Sequence, residues 1–140
     1  MHTAASTAVS FAILFGVVGY SFVYVSGNPV QLPPAVGIDV VPVNPEIAEI
    51  LGMQEARGLL ITEVAPGSPA DRAGLQAVRV ELRGGQQVPV SWDVVIAIDD
   101  RAVNNEEDVQ AALEGKQAGD SMRVTVLRNN NTMNFNLVLE

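Results

Sequence analysis

Cysteine is absent from this 140-residue chain, so it can build neither a disulfide framework nor a thiolate metal site. Histidine occurs once, at His2, and lysine once, at Lys116. A Ser-His-Asp mechanism needs its base beside its nucleophile. His2, however, sits on a terminal tail, and no Gly-x-Ser-x-Gly or Gly-Asn-Ser-Gly-Gly elbow occurs. A Ser-Lys dyad would have to use Lys116, which lies in "GKQAGD" and reads as a solvated turn. Positive charge is scarce altogether. With 8 basic against 16 acidic residues and a net charge of −8, nothing would neutralise phosphates, and nucleic acid is excluded as a partner. No glycine loop suits a phosphate, because Gly84-Gly85 reads as a hairpin tip. Asp99 and Asp100 fit a turn, and Glu106, Glu107 and Asp108 fit a helix N-terminus, so neither a metal nor a cofactor is expected. Catalysis is not encoded here.

The sharpest absence is local. Every charged side chain lies at or beyond Asp39, leaving the first 38 residues with only His2 and the amino terminus. "TAVSFAILFGVVGYSFVYV", Thr7 to Val25, would as a helix span roughly 27–29 Å, close to a bilayer core. Tyr20 and Tyr24 would suit an interfacial belt. No Lys or Arg precedes the run, and its β-branched and aromatic residues with Gly16 and Gly19 also suit buried strands. Three readings stay open: a spanning or anchoring helix, a buried fragment of a larger fold, and an uncleaved signal sequence. Residues 1–25 thus form an apolar segment, 26–33 a linker rich in turn and extended signals, and 34–140 a domain with a normal charged surface.

What is present in that domain is well punctuated. Asn44, Pro45, Glu46 and Gly52 bound a short helix whose face carries Ile47, Ile50 and Leu51. Leu59 to Val64 reads as a half-buried strand, followed by a Pro66-Gly67 turn and a one- or two-turn helix from Pro69 to Gly74. "VRVELRGGQQVPV" is a hairpin around Gly84-Gly85, and "WDVVIAIDD" an apolar strand with an acidic turn. Asn104 or Asn105 caps a second main helix that ends at Gly115, with Val109, Ala112 and Leu113 on its apolar face. "SMRVTVLRNNNTMNFNLVLE" gives two period-two strands around an Asn-rich turn. The fold class is mainly β (α+β), antiparallel, with two short helices.

"GLLITEVAPGSPADRAGL", "DVVIAIDDRAV", "NNEEDVQAAL" and "AGDSMRVTVLRN", in that order, resemble a PDZ domain of the kind that follows the protease domain in HtrA/Deg-type serine proteases. The resemblance covers about Pro34 to Glu140 and implies a partly open antiparallel barrel or sandwich. It departs from many relatives by inserting Gln76 to Trp92, with Ser91-Trp92-Asp93 where Gly-Gly-Asp or Pro-Gly-Asp is usual. No complete protease domain precedes it, although "AVSFAI", Ala8 to Ile13, is similar to the last strand of such a protease barrel.

The resemblance implies a site. Val36-Gly37-Ile38 stands where the family holds a peptide's C-terminal carboxylate on backbone N–H groups. Ile38, Asp39 and Val40 would offer the edge for an added strand, and Val109, Ala112 and Leu113 the facing helix. Pro42 would keep that edge short. The implied partners are apolar C-termini or unfolded segments, with a protease domain or a membrane protein as further candidates. The setting would be membrane-associated or extracytoplasmic, in quality control or protease regulation. The alternative is a truncated or split part of an HtrA-type endopeptidase whose catalytic residues lie outside this chain. On this reading Gly37→Val abolishes binding and leaves the fold intact.

Overall fold

The computed structural model describes residues 36–140 continuously and, before them, short strand segments. These are β1 (Val9–Phe11), β2 (Val17–Val18), β3 (Ser21–Phe22), β4 (Val25–Gly27) and β5 (Val30–Gln31). β1 pairs antiparallel with β4, and β2 with β3. The other residues of Thr7–Val25, and His2 with them, lie outside the described residues. No helix among the described residues is long and apolar enough to cross a membrane.

From Ile38 the chain builds one antiparallel sheet. β6 (Ile38–Pro42) leads through α1 (Pro45–Ile50) to β7 (Leu59–Val64), and α2 (Pro69–Ala73) follows. β8 (Arg79–Arg83) and β9 (Gln86–Ser91) form the inserted hairpin, a separate two-stranded sheet. Then come β10 (Asp93–Ile98), β11 (Arg101–Ala102), α3 (Glu106–Leu113), β12 (Ser121–Arg128) and β13 (Asn131–Val138). The main sheet runs β13-β12-β10-β7-β6-β5, with β11 attached to β10.

Both faces of this sheet are covered, which explains the unbroken apolar runs in its central strands. Leu59, Ile61 and Val95 pack with α2 and α3 on one face, while Leu60 and Val94 pack with Ile47 and Leu51 of the α1 region on the other. A strand buried on both sides has no solvent side to alternate with.

Local capping chemistry holds the helices. Asn44 Oδ1 accepts the Ile47 N–H at 2.8 Å, Ser68 Oγ accepts that of Asp71 at 3.2 Å, and Asn105 Oδ1 that of Asp108 at 2.9 Å. The described helices number three, the two main ones and the short one read from Pro69 to Gly74. The short segment after Ser68 is a complete turn of helix, started by Pro69 and closed by Gly74 at φ +103°. The Gly84-Gly85 tip has φ of +61° and +81°, and Asn129-Asn130 has +50° and +69°. Positive φ at both central residues is the tight hairpin turn whose twist matches its strands.

Two charged groups are held by specific partners, the first of them against its sequence reading. Lys116 is held, not solvated: its Nζ lies 2.5 Å from Asp99 Oδ2 and donates to the Ser121 carbonyl at 3.2 Å. The Arg123 backbone N–H and Lys116 together hold the Asp99 carboxyl below its ordinary range. Asp93 is fully buried at the start of β10. It accepts from Arg128 Nε and Nη2, both at 2.7 Å, and from the Gln76 N–H at 2.9 Å. Arg128 also donates to the Gly74 carbonyl at 2.7 Å and lies 4.9 Å from the Phe135 ring centroid. This knot ties both ends of the insertion to the end of α2.

Candidate functional site

The turn before β6 is set by two carbonyls. The Val36 carbonyl accepts the Ala70 N–H of α2 at 3.1 Å, and the Gly37 carbonyl accepts the Ala65 N–H at 2.9 Å. No cis peptide bond occurs among the described residues. In a planar trans peptide the following N–H points opposite to the carbonyl. The Ile38 amide is therefore turned away from β7, toward the outer edge of β6, and the Gly37 amide away from α2. Successive backbone amides that converge in a turn receive anions.

Glycine is required at this turn. Gly37 has φ +86°, and a Cβ there would stand 2.2 Å from Ser68 Cβ and 2.5 Å from Ser68 Oγ. Ser68 is itself buried as the cap of α2. The expectation that Gly37→Val spares the fold is thus overturned, because a side chain here drives into the α2 cap.

Beside the turn, Val36, Ile38 and Val40 of the β6 side meet Val109 of α3; all four are buried in one cluster, with Ala112 and Leu113 partly buried against it. Between them lies an apolar seam enclosing about 10 Å³ of free space, floored by Leu59, Val95 and Met122 among others. That volume is about one water's worth. With α3 and β6 where they stand, the seam has no room for a further side chain.

Asp39 is brought to the same edge but on the other face of the strand. It stands opposite Glu63 in the β6–β7 register. A hydrogen bond shared with the Asp39 carboxyl, and then its negative charge, raise the Glu63 carboxyl above its ordinary value of 4.5. The folded state therefore holds that proton more tightly than the unfolded chain. Its stabilising contribution is complete below the unfolded value and is lost as pH rises through the raised one. Glu63→Gln is expected to make the domain more resistant to urea at pH 7 while changing little at pH 3. Parallel losses at both pH values would show that Glu63 supports the fold by packing instead.

The outer edge of β6 is not bare. β5 pairs with it antiparallel, Val30 opposite Val40 and Gln31 opposite Asp39, within the stretch read from sequence as linker. Sequence reasoning missed this strand and the parts played by Glu63 and Asp93, whose partners lie well apart from them in the chain. Ser68 it does read, as the cap of the short helix. Among the described residues no cluster of three or more His, Asp or Glu is placed to hold a metal.

The family model for the PDZ domain matches residues 34–139. Among curated proteins, a probable periplasmic serine endoprotease, DegP-like, of Rhizobium meliloti (strain 1021) is 30% identical over 101 residues, 72% of this chain and 17% of that protein. The chain thus spans less than a fifth of that relative. Among solved structures, the HtrA3 PDZ domain bound to a phage-derived ligand superposes with a TM-score of 0.55 at 21% identity, covering 75% of this chain and 83% of that one. A variant of the HtrA-type protease AlgW with a tripeptide gives a TM-score of 0.52 at 26% identity, covering 74% of this chain and 30% of that one.

Proposed function

The chain belongs to the PDZ domain family, and from that premise we propose that it captures extended, apolar C-termini by strand addition along β6. The observation that supports this most is the turn at Gly37, whose Val36 and Gly37 carbonyls are taken up by α2 and the end of β7, leaving the Gly37 and Ile38 amides turned away from them next to the apolar seam between β6 and α3. The ligand's carboxylate is received by those amides and its last side chain enters the seam against Val36, Ile38, Val109 and Ala112, with Leu113 flanking. Val40 continues the pairing edge. Asp39, beside Glu63, favours a Lys or Arg on the ligand residue that faces it.

Burying one terminal side chain is worth about 1.5–3 kcal/mol, and each backbone bond about 0.5–1.5 kcal/mol net. With a few such bonds the affinity falls near micromolar, about −8 kcal/mol. The test is calorimetry of the full chain with an apolar pentapeptide ending in valine, as free acid and as C-terminal amide. Hydrogen bonds to a charged group are worth about 1.5–3 kcal/mol, so the amide is expected to bind at least about tenfold more weakly. Equal affinity for the two peptides would sink the assignment.

The likeness to a DegP-like periplasmic endoprotease supports a second reading of its setting: a substrate-capturing or regulatory module working with an HtrA-type endopeptidase in the cell envelope. An adjacent reading frame encoding the His, Asp and Ser blocks would support a split protease. A casein assay on the 140-residue chain alone is expected to be blank.

A further inference from the structure

Resting on that docking reading, we propose that the chain's own strand β5 occupies the docking lane of β6, so that a partner's C-terminus binds by displacing it. β6 has β7 on one side and β5 on the other, which places β5 on the edge an incoming strand must use. The polarity also matches. Val30 stands opposite Val40 and Gln31 opposite Asp39, so β5 runs toward the Gly37 turn. An added C-terminal strand must run the same way for its carboxylate to reach the Gly37 and Ile38 amides.

The sequence makes β5 a replaceable strand. Pro29 precedes it, and Pro33 and Pro34 follow shortly after. Proline has no N–H to give to a ladder, so within Pro29 to Pro34 only Val30, Gln31 and Leu32 can donate. β5 comprises 2 residues against 5 in β6. A peptide with a full set of amides and a terminal carboxylate offers more than β5 can. What β5 has instead is proximity: a short tether keeps a segment at millimolar effective concentration. A ligand then sees only the fraction of molecules whose edge is free, and its apparent affinity falls by that fraction. Until a ligand arrives, β5 also denies the edge to other strands.

The experiment compares the full chain with its Val30→Pro/Gln31→Pro variant, using a fluorescein-labelled apolar pentapeptide ending in valine as free acid. The double variant, checked for native circular dichroism, is expected to bind about three- to tenfold more tightly. Val30→Gly/Gln31→Gly, which keeps the amides but weakens the strand, is expected to shift affinity the same way by less. Saturating peptide is expected to speed hydrogen exchange at the Val30 and Gln31 amides of the unmodified chain. Equal or weaker binding by the proline variant, or unchanged exchange at β5 on saturation, overturns displacement and leaves the docking reading standing. No binding by the folded proline variant and the unmodified chain alike overturns the docking reading, and displacement with it.

Discussion

Gly37→Val is expected to reduce peptide affinity below detection and to destabilise the domain by about 2–4 kcal/mol, read as a fall in the urea midpoint. Two costs combine. The backbone at φ +86° is one that a β-branched residue rarely adopts. The new Cβ also falls 2.2 Å from Ser68 Cβ, and Ser68 has little room to retreat because it is buried and caps α2. Relief by moving the turn breaks the Val36–Ala70 and Gly37–Ala65 hydrogen bonds that aim the amides. Gly37→Ala combined with Ser68→Gly separates the two costs, since it removes the clash and keeps the backbone strain. If this double variant folds and still binds poorly, the loss belongs to amide geometry. Unchanged peptide affinity in Gly37→Val would show that this turn does not receive the carboxylate.

The second large effect belongs to Arg128. Arg128→Met is expected to cost about 3–5 kcal/mol, because it leaves the Asp93 carboxylate buried with no counter-charge. For a domain of this size that corresponds to a fall in Tm of about 15–30 °C. The reverse change is milder. Asp93→Asn leaves a guanidinium whose side chain is 22% exposed and has other partners in Gly74 and Phe135. The pair's asymmetry is the check: thermal melts should rank Arg128→Met well below Asp93→Asn. Adding Asp93→Leu to Arg128→Met should recover much of the loss, since an apolar pair removes the unpaired charge. If Arg128→Met melts within a few degrees of the unmodified chain, the knot is not what holds the insertion in place.

Local chemistry was legible in the sequence, and distant chemistry was not. Asn44, Ser68 and Asn105 announce helix starts because a cap acts within three residues. Gly84-Gly85 and Asn129-Asn130 announce turns because positive φ is a property of the residues themselves. The β12–β13 ladder, in full register from Ser121–Val138 to Arg128–Asn131, follows from one such turn. By contrast, Gly37 against Ser68, Asp93 against Arg128 and Val30 against Val40 join residues that share no periodicity and no motif. The role proposed for Val36-Gly37-Ile38 rests on likeness to a family, since spacing alone reads it as a loop entering a strand. The alternating pattern of Ile38-Asp39-Val40 separates a buried apolar face from a half-buried acidic one. It carries no information about which segment lies alongside.

The inserted hairpin has a consequence for how such chains diverge. β8 and β9 form a sheet of their own, and the fully buried core residues lie outside them. Its base is fastened by Asp93, which accepts the Gln76 backbone N–H, and by Trp92, whose backbone N–H donates to Asn129 Oδ1 at 3.0 Å. Its tip carries Leu82 at 72% exposure. With the root clamped and the tip outside the core, the loop's length is free to drift over evolutionary time without disturbing packing. The hairpin can therefore be lengthened, shortened or redecorated into a new contact surface, while the sheet and the turn at Gly37 are held by their packing.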